Sequence, residues 1–294
     1  MALAFWLYTL APVGDGMTEF LKTGDGQLAY DVTGEGPLIV LAHGMGDNRA
    51  AYREVAARLA SAGLRVASTD LRGHGESSTG WTSYTRTDVA ADLLALVRHL
   101  GGPAVIVGHS FAGGAATIAA AREPELVSAV VEISPFTRAQ KMDLGALVSH
   151  ARYRKGMALL MGTGLLRSVG LWKRYLDHAY PGLRPTGFAD HVAALDADLR
   201  RPGRMAVVSR MGMSAPTDAG AVLADIQCPA LVIGGTLDPD WADPRAEGEG
   251  VVAGMPAGLG RLEMIEGAGH YAHVQFPAEV AAAVLAFLKV GARG

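Results

Sequence analysis

Short apolar runs of strand length alternate along this chain with longer segments of helical periodicity. The apolar runs lie at 38–41, 66–68, 104–107, 127–133, 230–233 and 262–265. Between many of them lie segments whose apolar residues recur every three or four positions, at 49–62, 87–100, 110–121 and 278–288. This alternation predicts an α/β fold with a mostly parallel sheet flanked by helices. A hairpin around Gly24-Asp25-Gly26 adds two antiparallel edge strands and brings the sheet to eight.

The alternation stops after residue 135 and resumes only near residue 225. The intervening stretch is rich in Met, Gly and Arg, and helical patches are predicted over 146–160 and 165–178. We expect a helical cap inserted after strand six, over the carboxyl edge of the sheet. The predicted domains are an N-terminal extension at 1–16, a core at 17–135 and 225–294, and a cap at 136–224.

Charge is distributed unevenly between these parts. The predicted cap holds 13 Lys and Arg against 6 Asp and Glu, a net charge of +7, which leaves −10 for the rest of the chain. The plainer interpretation is a basic cap on an acidic core, and the alternative is a cap that attracts anionic substrates. The net charge of −3 and the absence of arginine-rich runs argue against a nucleic-acid binder. We expect a small-molecule substrate.

The cysteine content and the first residues indicate the cellular compartment. Cys228 is the only cysteine, so an intramolecular disulfide is excluded, and no Cys and His cluster has zinc-ligand spacing. The apolar stretch at 1–13 lacks a basic flank and is too short to span a bilayer. A short membrane-surface anchor is the alternative there. We expect a cytoplasmic monomer or homodimer without a membrane span.

A serine lies where the apolar run at 104–107 meets the next helical segment. Ser110 has Gly108 two positions before it and Ala112 two positions after it, and both are small. A sharp strand-to-helix turn needs small residues at these places, and it lifts the serine hydroxyl above the sheet edge. The pattern predicts that Ser110 is a nucleophile.

From about residue 19 onward the chain resembles the α/β-hydrolase superfamily. The resemblance rests on four motifs in order, namely His43-Gly44-Met45-Gly46, the loop at 70–77, the serine turn at 108–113 and the loop at 266–270. It implies the α/β-hydrolase fold and an oxyanion hole made by the backbone N–H groups of Met45 and Phe111. It also implies that the loop at 70–77 orders the oxyanion turn, so His74 is not expected to be the base.

The same resemblance assigns the other two members of a catalytic triad. A serine hydroxyl needs a base, and a neutral imidazole titrates near neutral pH. By resemblance the base is His270, with His273 as the local rival. The carboxylate that orients the imidazole is expected at Asp238, with Asp240 and Asp243 as alternatives. The chain order Ser, Asp, His is that of α/β-hydrolases.

Two residues qualify the resemblance. Ala112 stands where the usual G-x-S-x-G turn ends in glycine, which leaves the subfamily open. A serine at position 110, in place of aspartate, argues against epoxide hydrolases and haloalkane dehalogenases, whose chemistry needs a carboxylate nucleophile.

The resemblance and the expected triad imply hydrolysis of a carboxylic ester of a small, largely apolar substrate through an acyl-enzyme. No metal or organic cofactor is expected. Activity is expected to fall below roughly pH 6–7, as His270 becomes protonated. The residues expected to contact the substrate are His43, Gly44, Met157, Met161 and Met211.

Other functions fit the same residues. Hydrolysis of a C–C bond, a thioester or a lactone, and perhydrolysis, use the same triad, and fold analogy cannot separate them. For C–C hydrolysis the cap arginines Arg152, Arg154 and Arg210 are expected to hold a substrate carboxylate. A non-catalytic small-molecule receptor of the same fold is the alternative from another class.

Overall fold

The computed structural model describes residues 17–139 and 144–291, so the predicted extension at 1–16 lies outside the described residues. These residues form an eight-stranded sheet with the order β1-β2-β4-β3-β5-β6-β7-β8. The strands are β1 (Glu19–Thr23), β2 (Gly26–Thr33), β3 (Leu38–Ala42), β4 (Arg65–Thr69), β5 (Ala104–His109), β6 (Val127–Ile133), β7 (Ala230–Gly235) and β8 (Gly260–Ile265).

Strand pairing is antiparallel at one edge of the sheet and parallel across the rest. β1 pairs with β2, and β2 with β4, in antiparallel register. The remaining pairs are parallel, namely β4–β3, β3–β5, β5–β6, β6–β7 and β7–β8. The prediction of a mostly parallel eight-stranded sheet is confirmed. Parallel pairing brings the carboxyl ends of β3, β5, β7 and β8 to a common edge, and the predicted site residues follow those ends.

Helices connect and cover the strands. They are α1 (Arg53–Ser61), α2 (Arg86–His99), α3 (Phe111–Arg122), α4 (Leu144–Ser149), α5 (Ala151–Leu166), α6 (Val169–Ala179), α7 (Phe188–Leu199), α8 (Arg204–Gly212), α9 (Thr217–Val222), α10 (Pro244–Gly254), α11 (Ala272–Gln275) and α12 (Pro277–Gly291). We call α4 to α9 the inserted helices, because they lie between β6 and β7. They fall within the predicted cap at 136–224, whose division from the core as a separate domain stays a prediction.

Helix boundaries in the insertion differ from the predicted patches. The predicted helix at 146–160 is divided at His150 between α4 and α5, and α5 continues to Leu166. It ends because Arg167 adopts a left-handed conformation with φ 49°. Ser168 then caps α6, its side chain accepting a hydrogen bond from Leu171 N at 3.3 Å.

Apolar side chains pack on both faces of the sheet. One cluster joins the sheet to α2 and α3, and a second joins it to α1 and α12. A third cluster, around Trp172, Tyr175 and Tyr271, connects the inserted helices to the loop after β8. Within the described ranges, no helix has the length and apolar character needed to cross a membrane.

Candidate active site

Ser110 occupies a strained turn between β5 and α3. Its backbone has φ 52° and ψ −114°, a conformation that residues other than glycine rarely adopt. The turn is held because Ser110 N donates to Ile133 O at 2.8 Å and Gly113 N donates to Ser110 O at 3.0 Å. A Cβ atom on Gly108 would lie 2.2 Å from Ala112 O, so this close approach requires glycine at 108. The methyl group of Ala112 is fully buried and fits the turn.

The predicted oxyanion donors lie on the same cavity as Ser110. Both Met45 and Phe111 line that cavity. Phe111 is the first residue of α3, so its N–H has no acceptor within the helix. Among the described residues, neither of these two N–H groups donates a hydrogen bond to another protein group. Both are therefore free to donate to a ligand.

The turn after Met45 is fixed from two sides. Gly46 N donates to His74 Nε2 at 3.0 Å, and Trp172 Nε1 donates to Gly46 O at 3.0 Å. His74 Nδ1 in turn donates to Arg72 O at 3.1 Å, which leaves Nε2 as the acceptor. Burial lowers the pKa of His74 to about 3, so the ring stays neutral and keeps that role. His74 thus lies beside the turn that carries Met45, and the oxyanion role of that turn stays a prediction.

His270 contacts two carboxylates. Its Nδ1 lies 2.9 Å from Asp238 Oδ2 and 3.3 Å from Asp240 Oδ2. The two acids are linked, because Asp240 N donates to Asp238 Oδ1 at 3.0 Å. Tyr175 OH donates to Asp240 Oδ2 at 2.8 Å. Asp243, the other alternative acid, is exposed and caps α10.

The two carboxylates change the protonation of the imidazole. Burial alone would lower the pKa of His270, but the negative charges of Asp238 and Asp240 outweigh it and raise the pKa to about 9. Burial also raises the pKa of Asp240, and the Asp238 carboxylate adds to the effect, while His270 and Tyr175 oppose it. The raised pKa of His270 predicts that activity falls at a higher pH than the roughly pH 6–7 expected from the sequence.

The same cluster has the spacing of a potential metal site. One ligand atom from each of Asp238, Asp240 and His270 lies within 4.8 Å of the others. His270 Nδ1 and Asp238 Oδ2 already share a hydrogen bond, so a metal ion bound there would have to displace its proton.

A cavity of about 300 Å³ lies between the carboxyl edge of the sheet and the inserted helices. Ser110 and His270 both line it, although no hydrogen bond joins them in the described residues. Such bonds are often long before substrate binds. The cavity wall also includes Met157, Met161 and Met211, three of the predicted substrate contacts. A wider hollow of about 700 Å³ beside β8 and α12 contains none of the predicted site residues.

The prediction that His43 and Gly44 contact the substrate is corrected, because neither residue lines the cavity. His43 is fully buried, with Nδ1 donating to Gly44 O at 2.7 Å and Nε2 accepting from Leu71 N at 3.0 Å. A Cβ atom on Gly44 would lie 2.7 Å from His109 Nδ1, so this glycine allows the close approach of the serine turn. Both residues support the turn from behind.

Two further histidines lie near the candidate triad. His109 Nε2 donates to His270 O at 3.0 Å and so fixes the loop that carries the predicted base. His273, the rival base, stacks on Tyr52 with ring centroids 4.5 Å apart. Both ring nitrogens of His273 are buried without a hydrogen-bond partner among the described residues. His273 therefore lacks the carboxylate contact that His270 has.

Some residues of the cavity wall were not predicted, among them Arg86, Trp172 and Tyr175. Tyr175 and Trp172 lie on α6 and form part of an ordinary amphipathic pattern, so nothing in the sequence marked them. Arg86 did carry a signal, because it is the first residue of α2, where the helix dipole disfavours a cation.

Comparison with known proteins assigns a family. A sequence profile of the Alpha/beta hydrolase family matches residues 39–283. The 2-(acetamidomethylene)succinate hydrolase of Mesorhizobium japonicum is 28% identical over 206 residues, which cover 68% of this chain and 70% of that protein. Epoxide hydrolase A of Mycobacterium tuberculosis is 28% identical over 295 residues, which cover 86% of this chain and 90% of that protein.

A solved structure agrees in fold. A thermophilic esterase from Thermogutta terrifontis matches with a TM-score of 0.71 at 23% identity, over 94% of this chain and 99% of that one. The profile covers most of the chain, and the sheet that it spans has the strand order described above. The superfamily expected from the motifs is thereby confirmed, and the chain belongs to the α/β-hydrolase family of hydrolytic enzymes.

Proposed function

We propose that this hydrolase cleaves carboxylic esters of small, largely apolar substrates, with Ser110, His270 and Asp238 as its catalytic triad. The observation that carries the proposal is the shared cavity. It presents a strained serine, two backbone N–H groups without protein acceptors, and an imidazole whose far nitrogen is bound to a carboxylate. This is the set of groups that acyl transfer through serine requires.

The chemistry proceeds in two halves. In the first, His270 Nε2 takes the hydroxyl proton while Ser110 Oγ bonds to the ester carbon, and the same proton then goes to the departing alcohol as its C–O bond breaks. In the second, water gives a proton to Nε2 and its oxygen bonds to the acyl carbon. The bond from that carbon to Ser110 Oγ then breaks, and the proton returns to the serine. The hydrogen bond to Asp238 keeps Nδ1 protonated throughout.

Negative charge on the carbonyl oxygen develops only in the tetrahedral states. The N–H groups of Met45 and Phe111 would donate to that oxygen, and each such donor stabilises the transition state by about 3 kcal/mol. Their value depends on a fixed position. The contacts of Gly46 with His74 and Trp172 supply it on one side, and the start of α3 supplies it on the other.

Cavity size and lining support a short, apolar substrate. A volume of about 300 Å³ is at the lower end of the range for small-molecule sites. Much of the wall consists of Met, Leu and Phe side chains, which favour an alkyl or short acyl group.

Labelling of the serine tests this proposal. We expect a fluorophosphonate probe to form an adduct on Ser110, found by mass spectrometry of the digested protein, and pre-incubation with a good ester substrate to slow the labelling. A panel of p-nitrophenyl esters from acetate to decanoate should show highest kcat/KM for short chains, because the cavity is small. An unlabelled Ser110, with no turnover of any ester, would instead favour a non-catalytic receptor.

The pH dependence tests the role of the imidazole. Because the pKa of His270 is raised to about 9, the neutral base is the minor form at pH 7, and kcat/KM should rise with pH up to about pH 9. Asp240→Asn removes one of the two negative charges, so the acidic limb should move to lower pH. Asp243→Asn is the matched control, since Asp243 is exposed, and its limb should not move. A profile that is flat from pH 6 to 10 would contradict the assignment of His270.

The cellular location belongs to the same proposal. A single, buried cysteine suits a reducing compartment, and we propose that the protein acts in the cytoplasm. Cell fractionation with an antibody to the protein tests it.

A further inference from the structure

Arg86 is a buried cation in the wall of the proposed catalytic cavity. The residue is 3% exposed and lies at the start of α2. Its Nε donates to Phe136 O at 3.0 Å, and its Nη1 donates to the carbonyl and hydroxyl oxygens of Ser214 at 3.0 and 3.1 Å. None of these acceptors is a carboxylate. Among the described residues, no atom accepts a hydrogen bond from Nη2.

The guanidinium lies over the ring of Phe111 and lines the same cavity as Ser110 and His270. Its Cζ lies 4.2 Å from the ring centroid of Phe111, the residue that follows Ser110 and supplies one proposed oxyanion donor. The stem of Arg86 packs on α3, since a Cβ atom on Gly114 would lie 2.9 Å from Arg86 Cδ. Packing and the hydrogen bonds of Nε and Nη1 fix the orientation of the planar guanidinium. Nη2 can therefore donate to a ligand without a further loss of side-chain freedom.

Among the described residues, no carboxylate forms an ion pair with Arg86, and its charge contacts the ring of Phe111 instead. Burial lowers the pKa of Arg86 to about 10, against the opposing influence of Asp218 on α9, so the side chain remains a cation at neutral pH. Asp218 does not bind the guanidinium; its Oδ2 accepts from Thr87 N and Oγ1, both at 3.3 Å. A buried cation without a bound anion is costly, and the helix dipole adds to the cost at this position.

We propose that Arg86 binds a carboxylate of the substrate, so that the preferred substrate is an ester that also bears a free carboxylate. This rests on the proposed ester hydrolysis and narrows its substrate class. A carboxylate would pair with the cation through a charge-assisted hydrogen bond from Nη2. The apolar part of the wall would cover a short chain of methylene groups between the carboxylate and the ester. The net charge of +7 on residues 136–224 would attract such an anion.

Arg86 takes the role that the sequence suggested for three arginines of the predicted cap. Arg152, Arg154 and Arg210 do not line the cavity. Arg154 is exposed and donates to the carbonyl oxygens of Leu147 and Val148. The cation available to a bound substrate therefore comes from the core helix α2.

Paired substrates test the proposal. The probes are the mono-p-nitrophenyl ester of glutaric acid and p-nitrophenyl hexanoate, which are similar in length and differ in charge. We expect the wild-type enzyme to have the higher kcat/KM for the glutarate ester, and Arg86→Gln to lower the ratio of the two values about 10- to 100-fold, the range for loss of a charged hydrogen bond. Arg86→Lys should retain part of the preference. Arg210→Gln removes an exposed cation of the inserted helices and should leave the ratio unchanged.

A binding measurement separates this proposal from the ester chemistry. Calorimetry with glutarate and Ser110→Ala should show binding that Arg86→Gln, added to the same protein, weakens. If neither ester is hydrolysed but glutarate binds in this way, the ester function fails and the carboxylate site stands. If hexanoate ester is hydrolysed at least as well as the glutarate ester, or if Arg86→Gln lowers both rates equally, the carboxylate proposal is overturned. Should Arg86→Gln not fold, the wild-type preference and Arg86→Lys decide.

Discussion

Replacing Ser110 with alanine is expected to lower kcat for a short p-nitrophenyl ester by on the order of 10,000- to 1,000,000-fold, because no other group in the cavity replaces the nucleophile. The cavity and the two free N–H groups stay in place, so the residual rate should still exceed that in buffer. The expected fold is unchanged, since alanine keeps the Cβ atom and the turn. Steady-state rates and circular dichroism spectra check both parts. Hydrolysis that persists undiminished would exclude Ser110 as the nucleophile.

Ser110→Gly extends this prediction to stability. It should be as inactive as Ser110→Ala, yet more resistant to urea, because glycine adopts φ 52° and ψ −114° without the steric cost of a Cβ atom. Strain of this kind costs about 1–3 kcal/mol, and the greater freedom of glycine in the unfolded chain returns up to about 1 kcal/mol. We expect a net gain of about 1 kcal/mol over Ser110→Ala. A glycine variant less stable than the alanine variant would show that the turn stores no such strain.

Replacing Asp238 with asparagine is expected to cause the second largest loss of kcat, and the nearby Asp240 should make that loss smaller. Removing the orienting acid of a serine triad can lower kcat about 10,000-fold through the wrong imidazole tautomer. In this enzyme Asp240 Oδ2 stays 3.3 Å from His270 Nδ1, so Asp238→Asn should lose only about 100- to 1,000-fold, since part of the orienting contact remains.

The double variant tests that explanation. Asp238→Asn combined with Asp240→Asn should approach the full loss of about 10,000-fold, a non-additive result typical of residues that act on one partner. Asp243→Asn serves as the control and should keep wild-type kcat, because its side chain only caps α10. A double variant no slower than Asp238→Asn alone would show that Asp240 does not share the role.

The sheet could be predicted from the sequence because its parallel strands are buried on both faces and appear as continuous apolar runs. The run at 127–133 coincides with β6, and the other runs differ from their strands by one or two residues at an end. The inserted helices were harder to place. α7, α8 and α9 fall where no periodic segment was recognised, and the helices pack around Trp172 and Tyr175, which are contacts that no local pattern specifies.

The residues of the candidate site also differ in how well the sequence predicts them. Ser110 and His270 are marked by local glycine-rich loops, so a short window of sequence suffices to find them. The sharing of His270 between Asp238 and Asp240 depends on how one loop folds back, and two acids two positions apart look equivalent in the sequence. The surroundings of Arg86 come from Phe136 and Ser214, 50 and 128 positions away, and only the folded chain brings them together.

The contact of Trp172 with Gly46 connects helix α6 to the turn that carries Met45. The indole N–H holds the carbonyl of Gly46, and the ring fills the space that a side chain at 46 would need, with Cζ2 only 2.5 Å from a Cβ atom placed there. Displacement of α6 would break this hydrogen bond and remove a contact that holds the residue next to Met45. The position of the Met45 N–H, a proposed anion-binding group, therefore depends on where α6 lies.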